Sequence, residues 1–403
     1  VDRSGRVTPG RDLAAALLAA GPLLRVLPPP VRVRCADPAT AAALARLCDR
    51  LDVPAPAPVT DAAGLGPFER VVSDLLDLDA NPAPPPADEP RVVAEAREQD
   101  FTCRFRRTDV RTGDGVVLPT YAVGDPDRPP VLMVSACGMP ARLVEGWAGR
   151  LSRDFHVLVP ETRGLFADVD GFSADTGVVA QADDLLAVLD RFGLRRAHLI
   201  GLCGGAVLAV VAAARAPERV SSLSLWHGDF DLGDESPKTD HQQNLQALMA
   251  MAARSPQQAA AVHAVLTNTM LGVAPPRLAH LVTYPYATPE LLRRYCRLNG
   301  AIMGTDLRPY LAGLTTRTLV VTSEDDHTAH PAGSRAVAAR IAGSVLHVAE
   351  HGDHLSLFHA EESLVDLAAR FVAGDDALGT RSPAEAGRRV PPVPTRGGEE
   401  VFP

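Results

Sequence analysis

Apolar residues recur along the chain in two registers. Between residues 100 and 373, short unbroken apolar runs alternate with stretches whose apolar positions fall three and four apart. The runs PVLMVSA, FHVLVP, AHLIGL, VSSLSLW, RTLVVTS and SVLHVA have the length and composition of buried strands. Helices are expected near Leu143–Leu151, about Asp175–Phe192, over Ala206–Arg215, about Ala332–Ala342 and near Glu361–Val372. FTCRFRRTDV and GVVLPTYAVG flank the turn RTGDG and predict a hairpin. Strands alternating with helices of this length predict a mostly parallel sheet covered by helices on both faces. Residues 232–312 break the rhythm: they are helical with prolines and hold four of the five tyrosines. An insertion at that point falls over the carboxyl ends of the strands, where such sheets bind ligands, and is expected to form a helical lid.

The first third reads differently. LAAALLAAGPLL (Leu13–Leu24) follows three arginines, but Gly-Pro interrupts it and no small-residue cleavage site follows, so an amphipathic helix is expected rather than a signal peptide. VRVRC followed by DPATAAALARLCDRL reads as a strand and a helix capped by Asp37, with Pro38 at its first position. Residues 1–80 are expected to form a small α/β subdomain, and no motif in them carries chemistry. PAPAP (Pro54–Pro58) and NPAPPPADEP (Asn81–Pro90) punctuate this region; residues 81–99 are expected to be a proline-rich linker. Residues 374–403 have turn formers and charge with little to bury, and are expected to be a disordered tail.

Composition narrows the classes. A net charge of −9 without a basic stripe argues against a nucleic-acid partner. No apolar run reaches the roughly 20 residues of a membrane span. The six cysteines form no CxxC pair and no disulfide framework, so a reducing, cytoplasmic setting is expected.

One cysteine stands apart. Gly201-Leu202-Cys203-Gly204-Gly205 lies between a strand and an alanine-rich helix and matches G-x-S-x-G with cysteine in place of serine. That motif is a sharp strand-to-helix turn that exposes its central residue, and the glycines stand where neighbouring backbone leaves no room. The helix start favours negative charge on a thiol. Cys35, Cys48, Cys103 and Cys296 read as small core hydrophobes. A thiolate nucleophile needs a base, and the base needs an orienting acid. Downstream, TLVVTSEDDHTAHP and VLHVAEHGDHLSLFHAEE place acids and then histidines at the ends of successive strands. Asp326 is preferred to Asp325 as the acid and His354 to His351 as the base. His227, after VSSLSLW, lies at the same sheet edge and is a candidate pocket residue, as are Leu202 and Cys137. A zinc site built from His347, His351, His354 and His359 is disfavoured, because these fall across a strand end and a loop without a ligand motif; no metal is expected.

The motif and its downstream acid and histidine resemble the α/β-hydrolase superfamily over roughly residues 100–373. The resemblance implies the α/β-hydrolase fold and a nucleophile–acid–histidine order that matches this chain. VLMVSACGMPA is similar to the family's oxyanion loop, with Cys137-Gly138 where His-Gly is usual. It implies an oxyanion hole from the backbone N–H groups of Met139 and Gly204. PETRGLFAD is similar to the family's Asp-x-Arg-Gly turn. Cysteine elbows also occur in polyhydroxyalkanoate synthases and in thioesterases and acyltransferases; Asp326-His327-Thr328 is similar to the synthases' Asp-His-Ile, but Ala206 replaces their second glycine.

A cysteine tilts the expected reaction. A thiolate exchanges readily with thioesters, and the resulting acyl-enzyme stays reactive towards amines and alcohols. The leading expectation is acyl transfer through an acyl-Cys203 thioester, from a coenzyme A or phosphopantetheine-linked donor, the latter on an acyl carrier protein, to a small molecule. The alternative is a thioesterase or esterase using water; a non-catalytic binding protein on the same scaffold is the third. No permanently bound cofactor is expected. Homodimerisation is left open.

Overall fold

Helices and two short strands come first. In the computed structural model, which describes residues 10–81, 83–167, 172–233, 237–270 and 274–375, the chain opens with α1 (Arg11–Val26), β1 (Arg32–Arg34), α2 (Pro38–Leu51), β2 (Ala57–Val59), α3 (Pro67–Leu76) and α4 (Glu89–Gln99). β1 and β2 pair in parallel as a two-stranded sheet. Pro58 sits in this edge position, where a missing N–H is tolerated. Asp37 caps α2 through Ala39 and Thr40 N–H, with Pro38 in the first turn.

The stretch 81–99, expected to be a linker, is corrected by α4. Its prolines end at Pro90, inside the helix's first turn, where proline costs no hydrogen bond. Beyond it Val92, Val93 and Ala96 are buried, and α4 packs on α1 and α2. Glu89 is almost fully buried and pairs with Arg46 and Arg50 of α2 at 2.8 and 3.3 Å. Proline-rich composition hid a packed helix.

A short α5 (Phe101–Arg104) leads into the main sheet: β3 (Arg106–Arg111), β4 (Val117–Val123), β5 (Pro130–Val134), β6 (His156–Pro160), β7 (Ala197–Leu202), β8 (Val220–Trp226), β9 (Thr318–Ser323) and β10 (Val345–Ala349). Their spatial order is β10-β9-β8-β7-β5-β6-β4-β3. β3 and β4 form the antiparallel hairpin, β4 runs antiparallel to β6, and the rest are parallel. Between them lie α6 (Glu145–Leu151), α7 (Val178–Arg191), α8 (Gly204–Arg215), α9 (Asp240–Arg254), α10 (Pro256–Met270), α11 (Pro276–Val282), α12 (Pro289–Met303), α13 (Arg308–Leu311), α14 (Pro331–Arg340) and α15 (Glu362–Val372).

Strand alternation builds two cores. Leu132 and Val134 of β5 join the apolar cluster that takes in α7, α8 and Val337 of α14. Val131 and Met133 join the other, with Trp147 of α6 and Phe371 of α15. Helices therefore cover both faces. α8 is buried along its length, from Gly204 to Ala213, because α7, α12 and α13 pack against it as well as the sheet. Its run of alanine and valine is what such close approach requires.

The insertion between β8 and β9 carries α9 to α13. α9, α10 and α12 pack on one another, and α11 meets α1 and α3, so the N-terminal helices support it from outside. Among the described residues no helix is long and apolar enough to cross a membrane. The tail expected from 374 lies outside the described residues beyond Asp375.

Candidate active site

The turn from β7 into α8 places Cys203 at φ 55°, ψ −124°, backbone that side chains rarely adopt and that costs of order 1–3 kcal/mol. The two outer glycines are explained by crowding. A Cβ on Gly201 would lie 2.6 Å from Ala206 Cα, and one on Gly205 would lie 2.2 Å from the Val134 carbonyl oxygen of β5. The Cys203 N–H donates to Trp226 O at 2.9 Å, tying the turn to β8. Cys203 is half-buried and faces a cavity of about 420 Å³.

Asp326 follows β9 and is buried. Its Oδ1 accepts the N–H groups of Thr328 and Ala329 at 2.9 and 2.8 Å. Its Oδ2 faces two imidazoles: His354 Nδ1 at 3.0 Å and His227 Nδ1 at 2.7 Å. Burial pushes the Asp326 pKa up, but the bonds from His227 and His354 outweigh it and hold the carboxyl well below the usual range. Burial likewise pulls His354 down. The Cys203 thiol and Asp326 on either side of the ring more than offset this, so its pKa is raised well above the ordinary value. With Nδ1 committed to Asp326, the remaining ring nitrogen serves Cys203.

The structure separates the two rival pairs. Asp325 bonds His351 Nδ1 at 3.1 Å, and both side chains are exposed. Asp326 and His354 are the pair brought to Cys203. His227 and Leu202, expected to line the pocket, are corrected. Leu202 is buried in the sheet core, because alternation along β7 turns it away from the cavity. His227 sits behind Asp326 at φ 47°, its ring edge-on to His354 with centroids 5.8 Å apart. Cys137 does face the cavity, and burial raises its thiol pKa far above the ordinary range. The atoms of His227, Asp326 and His354 are close enough to one another for a metal, yet at 2.7 and 3.0 Å they satisfy one another as hydrogen bonds.

Of the two expected oxyanion donors, Gly204 opens α8 and has no intrahelical partner. The Met139 N–H closes a turn onto Ala136 O at 3.2 Å, so it reaches a substrate oxygen only by sharing that long bond. The loop itself is held from β6: Gly138 N–H donates to Thr162 Oγ1 at 2.9 Å, and Ala141 N–H lies 3.0 Å from both carboxyl oxygens of Glu161. From the other side Tyr295 of α12 closes on Gly138, leaving no space for a Cβ there.

Glu161 provides a test of this support. Burial pushes its pKa from the ordinary 4.5 to about 8, against the Ala141 bond and the Arg107 charge. A carboxyl whose pKa is raised on folding contributes stability that is whole below its ordinary value and lost as pH rises through the folded value. Melting temperature should therefore fall between pH 4.5 and pH 8, and Glu161→Gln, which keeps the acceptor for Ala141, should flatten that slope. An unchanged slope in the variant would remove Glu161 as its source.

Sequence reading missed most of the cavity wall. Asp229, just past β8, accepts from Gln242 Nε2 on α9. Burial raises its pKa, against the Gln242 bond and the nearby His354 charge. Gln242 was visible only as the third residue of a Thr239 capping box. Tyr286, Tyr295, Asn299 and Met303 close the cavity from the insertion.

The chain belongs to the alpha/beta hydrolase fold family, whose model matches residues 129–361, more than half its length. A protein provisionally named carbamate hydrolase RutD, from Pseudomonas syringae pv. syringae (strain B728a), is 26% identical over 240 residues, covering 59% of this chain and 90% of its own. Rhodomycin D methylesterase DauP from Streptomyces sp. (strain C5) is 30% identical over 133 residues, covering 31% of this chain and 45% of its own. Among solved structures, a hydrolase from Pseudomonas aeruginosa PA01 superposes with a TM-score of 0.53 at 23% identity, covering 67% of this chain and 98% of that one; this likeness is one of fold.

Proposed function

We propose that the chain is an acyl hydrolase that works through an acyl-Cys203 intermediate. The observation that carries the reading is the Cys203 thiol on a strained elbow, served by a buried His354 whose other nitrogen is fixed on Asp326. His354 takes the thiol proton as sulfur attacks the acyl carbonyl. The oxyanion forms at the Gly204 N–H, with Met139 sharing. As the tetrahedral adduct collapses, the leaving group departs with the proton from His354, leaving a thioester on Cys203. Water, deprotonated by His354, then attacks the thioester; the acid leaves and the proton returns to the thiol. The hydrolase and esterase relatives favour water as the acceptor over the acyl transfer expected from the sequence.

The thiol favours one second reading, transfer to an amine or alcohol, because thioesters react with such nucleophiles. Turnover of a hexanoyl N-acetylcysteamine thioester with and without a primary amine or alcohol separates them. Hydrolysis predicts hexanoic acid as the main product in each case. Amide or ester as the main product, in wild type and not in Cys203→Ala, would move the reading to transfer.

A further inference from the structure

Among the described residues the cavity wall contains no arginine or lysine, whereas Asp229, Asp325 and Asp353 all face it. Asp325 is engaged with His351 at 3.1 Å. Asp229 is different. Its Oδ1 is fixed by Gln242 Nε2, and Gln242 cannot turn away, since its own amide oxygen accepts Thr239 N–H at 2.9 Å and His330 N–H at 3.1 Å. Asp229 Oδ2 has no hydrogen-bond partner among the described residues. The nearby Lys238 is committed elsewhere, to Asp231 at 2.7 Å and Gln246 at 3.1 Å.

A second acceptor stands across the cavity wall. Asn299 of α12 is only 9% exposed. Its Nδ2 donates to Tyr295 Oη at 3.3 Å and lies 3.6 Å from Met249 sulfur, while its Oδ1 receives no bond among the described residues. That oxygen lies 3.4 Å from where a Cβ on Gly204 would stand, beside the elbow. Most of the remaining surface is apolar, from Met139, Leu143, Leu245, Val282 and Phe358 among others. Both residues line the cavity, so these two oxygens are placed to accept from a donor on a bound molecule, and a bound group with no donor there would strip their solvation without replacing it.

Resting on the hydrolase reading, we infer that the cavity selects acyl compounds that carry N–H or O–H donors on an apolar body, neutral or cationic. It rejects those bearing a carboxylate or phosphate. Asp229 Oδ2 and Asn299 Oδ1 are the receiving atoms.

The test uses matched p-nitrophenyl esters of hexanoate, 6-aminohexanoate and adipate, with kcat/KM as readout. A charge-assisted hydrogen bond is worth roughly 10- to 100-fold, so wild type should favour aminohexanoate over adipate by about that ratio. The ratio should fall about tenfold in Asp229→Asn and fall measurably in Asn299→Leu. Calorimetry with hexanamide, 6-aminohexanamide and adipic acid monoamide reads the same preference without any reaction. A wild type that prefers or equally accepts the adipate compounds overturns the inference, as does an unchanged ratio in a folded Asp229→Asn. If no ester is turned over but 6-aminohexanamide binds best, the catalytic reading fails and the recognition stands.

Discussion

Cys203→Ala is expected to lower kcat at least ~10⁴-fold on any ester or thioester the protein accepts, because residues acting as one nucleophilic unit lose nearly the whole chemical step together. The same substitution barely touches the fold, since the side chain is half-buried and faces the cavity. Cys203→Gly should be equally inactive yet melt higher than Cys203→Ala. At φ 55° and ψ −124° a Cβ is strained, and glycine relieves about 1 kcal/mol or more of it. Loss of activity with raised stability would mark strain held for exposure of the thiol. Equal melting temperatures for the two variants would show that the elbow stores none.

Asp326→Asn is the second large expected loss, about 10⁴-fold in kcat, by analogy of role with the orienting acid of a triad. Asn removes the negative charge that His354 needs when it carries the thiol proton, and its NH₂ confronts either the two imidazole Nδ1 atoms that share Oδ2 at 2.7 and 3.0 Å or the Thr328 and Ala329 N–H groups on Oδ1. Melting temperature should drop as well, because the carboxylate accepts four hydrogen bonds in a buried site. Asp325→Asn, one residue away, should change kcat less than about fivefold, since its partner His351 is exposed and such pairs contribute little. Steady-state kinetics and thermal melts of the two variants side by side check this; comparable losses in both would mean that the acid has been assigned to the wrong carboxylate.

How much of this was visible in the chain depends on the kind of physics involved. The elbow was legible because its glycines answer to local sterics: backbone from β5 and α8 crowds Gly205 and Gly201 whatever else the protein does. The alternating strands and helices were legible because burial on two faces imposes its own periodicity. The helix over Glu89–Gln99 was not, because proline-rich composition dominated its first residues, and its packing on α1 and α2 is tertiary. His227 could be placed at the right sheet edge, but its bond to Asp326 depends on β8 and β9 being parallel neighbours, with residues 99 apart in sequence meeting at their ends. Asp229 and Asn299 carried no motif, and Gln242 only a helix-capping pattern that says nothing of a cavity: three residues from a loop and two helices of the insertion become a wall only once the insertion is folded over the sheet.

The central claim is that acyl groups pass through Cys203. Wild type mixed with p-nitrophenyl hexanoate and quenched in acid within the first turnovers should carry one hexanoyl group, found by peptide mass spectrometry on the segment containing Cys203 and removed by hydroxylamine. Cys203→Ala should carry none. A hexanoyl group on another residue, or equal labelling of Cys203→Ala, would contradict the account.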